Sequence, residues 1–253
     1  MYCIGFCIFI FLFVETDCWV PKLRTGFKEV DTENYPYIVK LAFQFPDIDE
    51  PHAFSTSCTV TVLTPTWALT AAICISGANL AHPSKPIVYV IDYSPNITET
   101  ATEKISKILS INIHPNFRFI PNYYLTFEYN MALLKTEEIE LKEYARLSAM
   151  EPMAMIGHAV EVFGYPLEFG VTRRPLLMFD VVVTKCVKYI CGASRCWQSS
   201  AAAGESVGGP VLHRSGIIAT YSGASDLKTH EYGNFKFSAV ATSLHWILNL
   251  IKA

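Results

Sequence analysis

Clustered basic residues are missing from this sequence, and charged residues of either sign are few. Charged side chains make up 17% of the 253 residues, the formal net charge is −3, and Arg173-Arg174 is an isolated basic pair. A nucleic-acid surface needs Lys and Arg gathered on one face, so we expect no nucleic-acid partner. The hydrophobic share of 51% is too high for a disordered chain.

Long apolar runs are also absent after the first residues, so no later segment reaches the roughly 20 residues of a transmembrane helix. Residues 1–14 are almost wholly apolar, which is typical of a signal peptide, although no basic residue precedes them. We predict a signal peptide over residues 1–18, cleaved between Thr16 and Cys18, and a secreted, extracellular protein. An uncleaved membrane anchor is the alternative.

The sequence also lacks the cysteine and histidine spacing of a zinc site. Of the eight cysteines, those at positions 3 and 7 would leave with the signal peptide, and Cys18 depends on the cleavage site. Cys186, Cys191 and Cys196 have the spacing C-x4-C-x4-C without a nearby histidine, which does not match a zinc site. We therefore predict disulfides, as expected in an oxidising compartment, and no metal or cofactor.

Short runs rich in β-branched and aromatic residues alternate with turn residues, and this pattern predicts an all-β protein. Residues 242–251 differ, because apolar residues at 244, 247, 248 and 251 have helical spacing. We predict a C-terminal helix docked on the core. Asn96 begins an Asn-Ile-Thr glycosylation sequon, which is typical of a surface loop in a secreted protein. The predicted strands are residues 37–41, 57–62, 67–71, 87–91, 105–111, 131–135, 160–163, 178–184, 211–212 and 217–221.

Three motifs occur in the order and spacing of one protein family. W-A-L-T-A-A-I-C at 67–74 resembles W-x-L-T-A-A-H-C, N-M-A-L-L-K at 130–135 resembles D-I-A-L-L-K, and G-E-S-V-G-G-P at 204–210 resembles G-D-S-G-G-P. These are motifs of the chymotrypsin/trypsin-like serine proteases. The resemblance implies a domain over residues 19–253.

The fold that this resemblance implies is two six-stranded antiparallel β-barrels packed side by side. The first would cover about residues 35–145 and the second about 146–253. The resemblance also implies that Cys58 bridges Cys74, and that a pair among Cys186, Cys191 and Cys196 forms a loop bridge in the second barrel.

The catalytic chemistry of the family needs a nucleophile, a base and a carboxylate that orients the base. The resemblance places Ile73 at the histidine position and Asn130 at the aspartate position. Isoleucine cannot accept a proton, and asparagine is neutral. None of the seven histidines lies in the motif, so we interpret all of them as surface or structural residues.

The nucleophile position has two alignments. Without a gap, Val207 stands at the serine position and Glu205 at the oxyanion-hole glycine. With one inserted residue, Ser206 is the serine, but it still lacks its base. We favour the ungapped alignment, because the tight turn leaves little room for an insertion.

Activating and specificity features of the family are also replaced. Arg24, where cleavage would occur, is followed by Thr-Gly-Phe-Lys and not by an apolar pair. The position that selects basic substrates in trypsin is Ala201, or Ser200 with the gap. We therefore predict a non-enzyme that binds an extracellular protein, a protease or an inhibitor, as a regulator, cofactor or decoy. The alternatives are a weak non-classical serine hydrolase using Ser206 and a structural protein that uses an outer surface.

Overall fold

The computed structural model describes residues 27–44, 55–81, 87–94, 104–119, 128–165, 175–186, 190–194, 206–224 and 234–252. This part of the chain contains thirteen strands, two helices and two 3₁₀ turns. The strands of the first half are β1 (Lys28–Val30), β2 (Ile38–Gln44), β3 (Ser55–Thr64), β4 (Trp67–Thr70), β5 (Val88–Asp92), β6 (Ile105–Ile113) and β7 (Ala132–Thr136). Those of the second half are β8 (Ala159–Gly164), β9 (Leu176–Lys185), β10 (Ile190–Ser194), β11 (Pro210–His213), β12 (Gly216–Ala224) and β13 (Asn234–Ala239). The helices are α1 (Ala72–Ala81) and α2 (Val240–Lys252), and the 3₁₀ turns are Thr32–Asn34 and Pro152–Met155.

The first barrel is closed by six antiparallel strands in the order β2-β3-β4-β7-β6-β5. Successive residues of a strand point to opposite faces, so one face of each strand fills the interior. Leu41, Val60, Leu69, Ile91 and Leu133 are completely buried there. Leucine and β-branched side chains therefore form this core.

The second barrel follows the order β9-β10-β13-β12-β11-β8 and is closed by the pairing of β8 with β9. Its core is aromatic: the ring of Phe179 lies 4.8 Å from that of Phe235, and the ring of Tyr221 lies 6.2 Å from that of Phe237. The predicted fold of two six-stranded antiparallel barrels is confirmed.

Both ends of the described chain cross to the opposite barrel. Near the N-terminus, β1 adds to the second barrel by pairing with β9, which places Val30 opposite Leu176. At the C-terminus, α2 follows the last strand of the second barrel, yet the ring of Trp246 lies 4.7 Å from that of His114, at the end of β6 in the first barrel. The predicted C-terminal helix is thus present and extends a little beyond the predicted residues.

Two disulfides lie in the described residues. Cys58–Cys74 joins β3 to α1 within the first barrel, as the resemblance implies. Cys186–Cys191 closes the hairpin of β9 and β10, which selects one of the pairs left open by the sequence.

Several predicted features lie outside the described residues. They are the signal peptide (residues 1–18), Cys18, Arg24, Asn96, Cys196, Ser200, Ala201 and Glu205. Within the described ranges, no helix is long and apolar enough to cross a bilayer.

Candidate functional site

Asn130 lies where the two barrels meet and is completely buried. Its Oδ1 accepts a hydrogen bond from the backbone N–H of Ile73 at 2.9 Å. Its own backbone N–H donates to Ser238 Oγ, on β13 of the second barrel, at 3.2 Å. Asn130 therefore connects the start of α1 in the first barrel with a central strand of the second.

The amide nitrogen of Asn130 is the unusual atom of this junction. Nδ2 is buried and has no hydrogen-bond partner among the described residues. The half-buried side chain of Ile73 packs against the first-barrel cluster and has no polar atom to offer. A buried N–H without a partner costs about 1–3 kcal/mol, so the junction retains an unmet donor.

Val207 reaches the same junction from the second barrel. Its carbonyl oxygen accepts a hydrogen bond from the backbone N–H of Thr59 at 2.9 Å and lies 3.9 Å from Cys74 Sγ. Its side chain is half-buried and packs against the core clusters of both barrels. The fold thus joins Ile73 to Asn130 by a hydrogen bond and places Val207 beside Cys74, the residue that follows Ile73.

Ser206 lies in the turn before β11 and is only 1% exposed. Gly164 on β8 lies so close that a Cβ added to it would overlap Ser206 Cβ and lie 2.7 Å from Ser206 Oγ. The hydroxyl is therefore packed beside strand β8, where a substrate has no direct access to it.

The family model described as Trypsin matches residues 24–247, which is most of the chain. The chain belongs to the trypsin family. The solved structure of HL collagenase at 1.7 Å resolution is similar to it, with a TM-score of 0.68, 19% sequence identity, and coverage of 91% of this chain and 99% of that chain. At that identity the likeness shows the fold alone. A comparison with curated proteins found no match.

Two adjacent glycines of this trypsin-family protein allow close packing, Gly208 across the junction between the barrels and Gly209 within the second barrel. Gly208 has a φ of +88°, and a Cβ added to it would overlap Thr70 Oγ1 and the carbonyl oxygen of Thr59 in the first barrel. A Cβ on Gly209 would overlap the carbonyl oxygen of Phe163. Only glycine fits both places without displacing backbone.

The four described histidines of this trypsin-family chain make their ring contacts with residues other than Asn130 and Val207, although His114 stacks on Tyr129, which directly precedes Asn130. His114 is buried, and its Nδ1 accepts a hydrogen bond from the backbone N–H of Asn116. Burial lowers the pKa of His114 below its ordinary value. His245 is exposed on α2 and contacts Asn249. His158 and His213 contact each other at one end of the second barrel.

The sequence interpretation missed this last pair. His158 lies two residues before the predicted strand 160–163, and His213 directly follows the predicted strand 211–212. The only sequence signal for the pair was that each histidine lies near the end of a predicted strand. This signal becomes informative only when it is known that the two strands pair.

Proposed function

We propose that this trypsin-family protein is secreted and non-catalytic, and that it acts by binding an extracellular protein, a protease or an inhibitor, as a regulator, cofactor or decoy. One observation carries the proposal: Oδ1 of Asn130 accepts a hydrogen bond from the backbone N–H of Ile73. In the motif alignment, Ile73, Asn130 and Val207 stand at the positions of the base, the carboxylate and the nucleophile, and none of the three side chains can perform that role.

The chemistry of peptide-bond cleavage sets how much activity such a site retains. A serine hydroxyl becomes nucleophilic when a neighbouring base takes its proton, and the base is oriented and charge-stabilised by a carboxylate. Removing the whole triad leaves about 10³–10⁴-fold acceleration over water, which is far below the 10⁶-fold or more of ordinary enzymes.

The burial of Ser206 supports the ungapped alignment with Val207 at the nucleophile position. A gapped alignment would make the Ser206 hydroxyl the nucleophile, which a substrate must reach, but this side chain is only 1% exposed and packs against Gly164 on β8. A hydrolase that uses Ser206 would need a titratable group within hydrogen-bond reach, and each of the four described histidines contacts another partner.

Binding is the function that remains compatible with this fold. A trypsin-like cleft accommodates extended peptides, and a cleft that no longer cuts can still hold a strand or an inhibitor loop. This step rests on analogy between folds. The protein partner is therefore inferred from the family, while the missing chemistry is inferred from this chain's own residues.

A fluorophosphonate probe tests the proposal directly. We expect no adduct on the purified secreted protein, with or without cleavage at Arg24, while a catalytically competent trypsin-family protease is labelled under the same conditions. The adduct is mapped by mass spectrometry, with Ser206→Ala as the matched variant. Stoichiometric labelling of Ser206 that this variant abolishes would refute the proposal and establish a serine hydrolase.

A further inference from the structure

Two histidines meet at one end of the second barrel, away from the junction. His158 directly precedes β8 and His213 ends β11, and these strands pair antiparallel with Leu212 opposite Glu161. Nδ1 of His158 lies 3.4 Å from Nε2 of His213. The ring centroids are 5.3 Å apart and the ring planes are inclined at 66°.

This spacing is that of two ligands on one metal ion. Zn²⁺ binds imidazole nitrogen at about 2.0–2.1 Å in tetrahedral geometry, so two such nitrogens lie about 3.4 Å apart. The nitrogens of His158 and His213 already have that separation. An ion between them therefore needs no change in this separation, only a rotation of the rings that turns both lone pairs toward the ion.

The orientation of His213 is set by hydrogen bonds on its far side. Its Nδ1 lies 2.9 Å from Ser215 Oγ, which lies 2.8 Å from Ser148 Oγ. The backbone N–H of Ser215 donates a hydrogen bond to this nitrogen at 3.3 Å, so Nδ1 carries no proton in this structure and must gain one when Nε2 binds an ion. A histidine that binds metal through one nitrogen commonly donates its other N–H to an oxygen. Ser215 Oγ is placed to accept that proton once Nε2 binds the ion.

The space beside the pair is open and carries acidic groups. A cleft of about 570 Å³ is lined by both histidines together with Glu161, Asp180 and Arg214. The two carboxylates lie among opposite charges, because Lys28 acts on Glu161 and Arg214 acts on His213. Among the described residues, no three His, Cys, Asp or Glu side chains are close enough to complete a ligand set, so the protein would supply two ligands and the cleft would leave room for water.

We propose that His158 and His213 form a two-histidine site for a divalent transition-metal ion of the Zn²⁺, Cu²⁺ and Ni²⁺ class. Imidazole nitrogen suits these ions, and the affinity of nitrogen sites is highest for Cu²⁺ within the series. The site is independent of the proposed binding function, because it lies at the end of the second barrel and uses neither Asn130 nor Val207.

Titration of the full-length protein without a histidine tag tests the site. We expect isothermal titration calorimetry to show binding of one equivalent of Cu²⁺, and of Zn²⁺ more weakly. His158→Gln and His213→Gln should each weaken Cu²⁺ binding at least tenfold. His245→Gln, which removes an exposed histidine on α2, should bind as the unchanged protein does.

A second readout is independent of these variants. Electron paramagnetic resonance of the Cu²⁺ complex should show hyperfine structure from two nitrogen ligands. His158 is only half-buried, so His158→Gln should fold normally, which circular dichroism checks, even if His213→Gln does not. Undiminished Cu²⁺ affinity in His158→Gln, or no binding by the unchanged protein, would show that the two rings only contact each other.

Discussion

Two opposing energies act on the side chain of Asn130. Its Oδ1 makes a hydrogen bond, which typically contributes about 0.5–1.5 kcal/mol, while its buried Nδ2 has no described partner, which costs about 1–3 kcal/mol. The amide therefore contributes little net stability. What the amide provides is an uncharged side chain at a position that is completely buried.

A carboxylate at this position should be tolerated poorly. Asn130→Asp has almost the same shape but buries a charge without a counter-ion, and we expect a loss of about 3–5 kcal/mol in the free energy of unfolding near neutral pH. Urea denaturation measures the loss. Asn116→Asp, at an exposed position, is the control and should change stability by less than about 0.5 kcal/mol. Equal effects of the two substitutions would contradict the prediction.

Adding Ile73→His to Asn130→Asp should recover part of this loss, because an imidazole N–H can then meet the carboxylate. A double-mutant cycle isolates that coupling free energy. We expect it to be about 1 kcal/mol or more, as for other side chains in direct contact. Strict additivity would show that the two side chains do not face each other.

At the scale of elements, His114 links the end of β6 to the terminal helix. Its ring stacks on Tyr129 with centroids 4.7 Å apart and meets the edge of Trp246 on α2 at 4.7 Å. Burial favours the neutral ring, so the pKa of His114 is lower in the folded protein than in the unfolded chain. The unfolded state therefore takes up a proton first as the pH falls.

The sign of the pH dependence follows from this difference. The stability of the folded state should fall as the pH drops below the unfolded pKa of about 6.5, and the loss should level off below the folded pKa. His114→Phe keeps an aromatic ring but cannot titrate, so its stability should change less over that range. Thermal unfolding at several pH values compares the two proteins, and parallel pH profiles would exclude His114 as a cause.

The strands and the helix that could be predicted are those in which the order of apolar and polar residues matches which side chains are buried. β2 to β9, β11, β12 and α2 have apolar runs or helical periodicity. β1 has only three residues, and β10 consists of one isoleucine followed by four small residues. In β13, Lys236 is buried between Phe235 and Phe237, so the alternation typical of a strand misleads. Helix α1 has few charged or capping residues and was interpreted only as a motif.

Some features of the candidate site could likewise be predicted from the sequence and others could not. Ile73, Asn130 and Val207 could be marked from motif spacing alone, because each motif is a continuous segment. The unmet Nδ2 of Asn130 and the pairing of His158 with His213 depend on strands brought together over long stretches of chain, and no local pattern predicts them.

At the scale of the whole molecule, the close contact at Gly208 decides how the barrels fit together. We expect Gly208→Ala to lose about 1–2 kcal/mol from its left-handed backbone and a further 1–3 kcal/mol from overlap with the first barrel. Gly157→Ala is the matched control, since Gly157 has a φ of +84° but nothing within 4 Å of an added Cβ. Urea denaturation compares the two variants. Equal losses in the free energy of unfolding would mean that the barrels can move apart at Gly208 without loss of stability.

The crossed ends of the chain have a consequence for its continuity. β1 lies on the barrel built from the later sequence, α2 lies on the barrel built from the earlier sequence, and the passage between barrels runs through residues 145–148. No disulfide joins the barrels among the described residues. After a single cut in that passage, each fragment would still be clasped by a strand or helix of the other. The protein would then consist of two separate chains that stay associated, and its shape would not change.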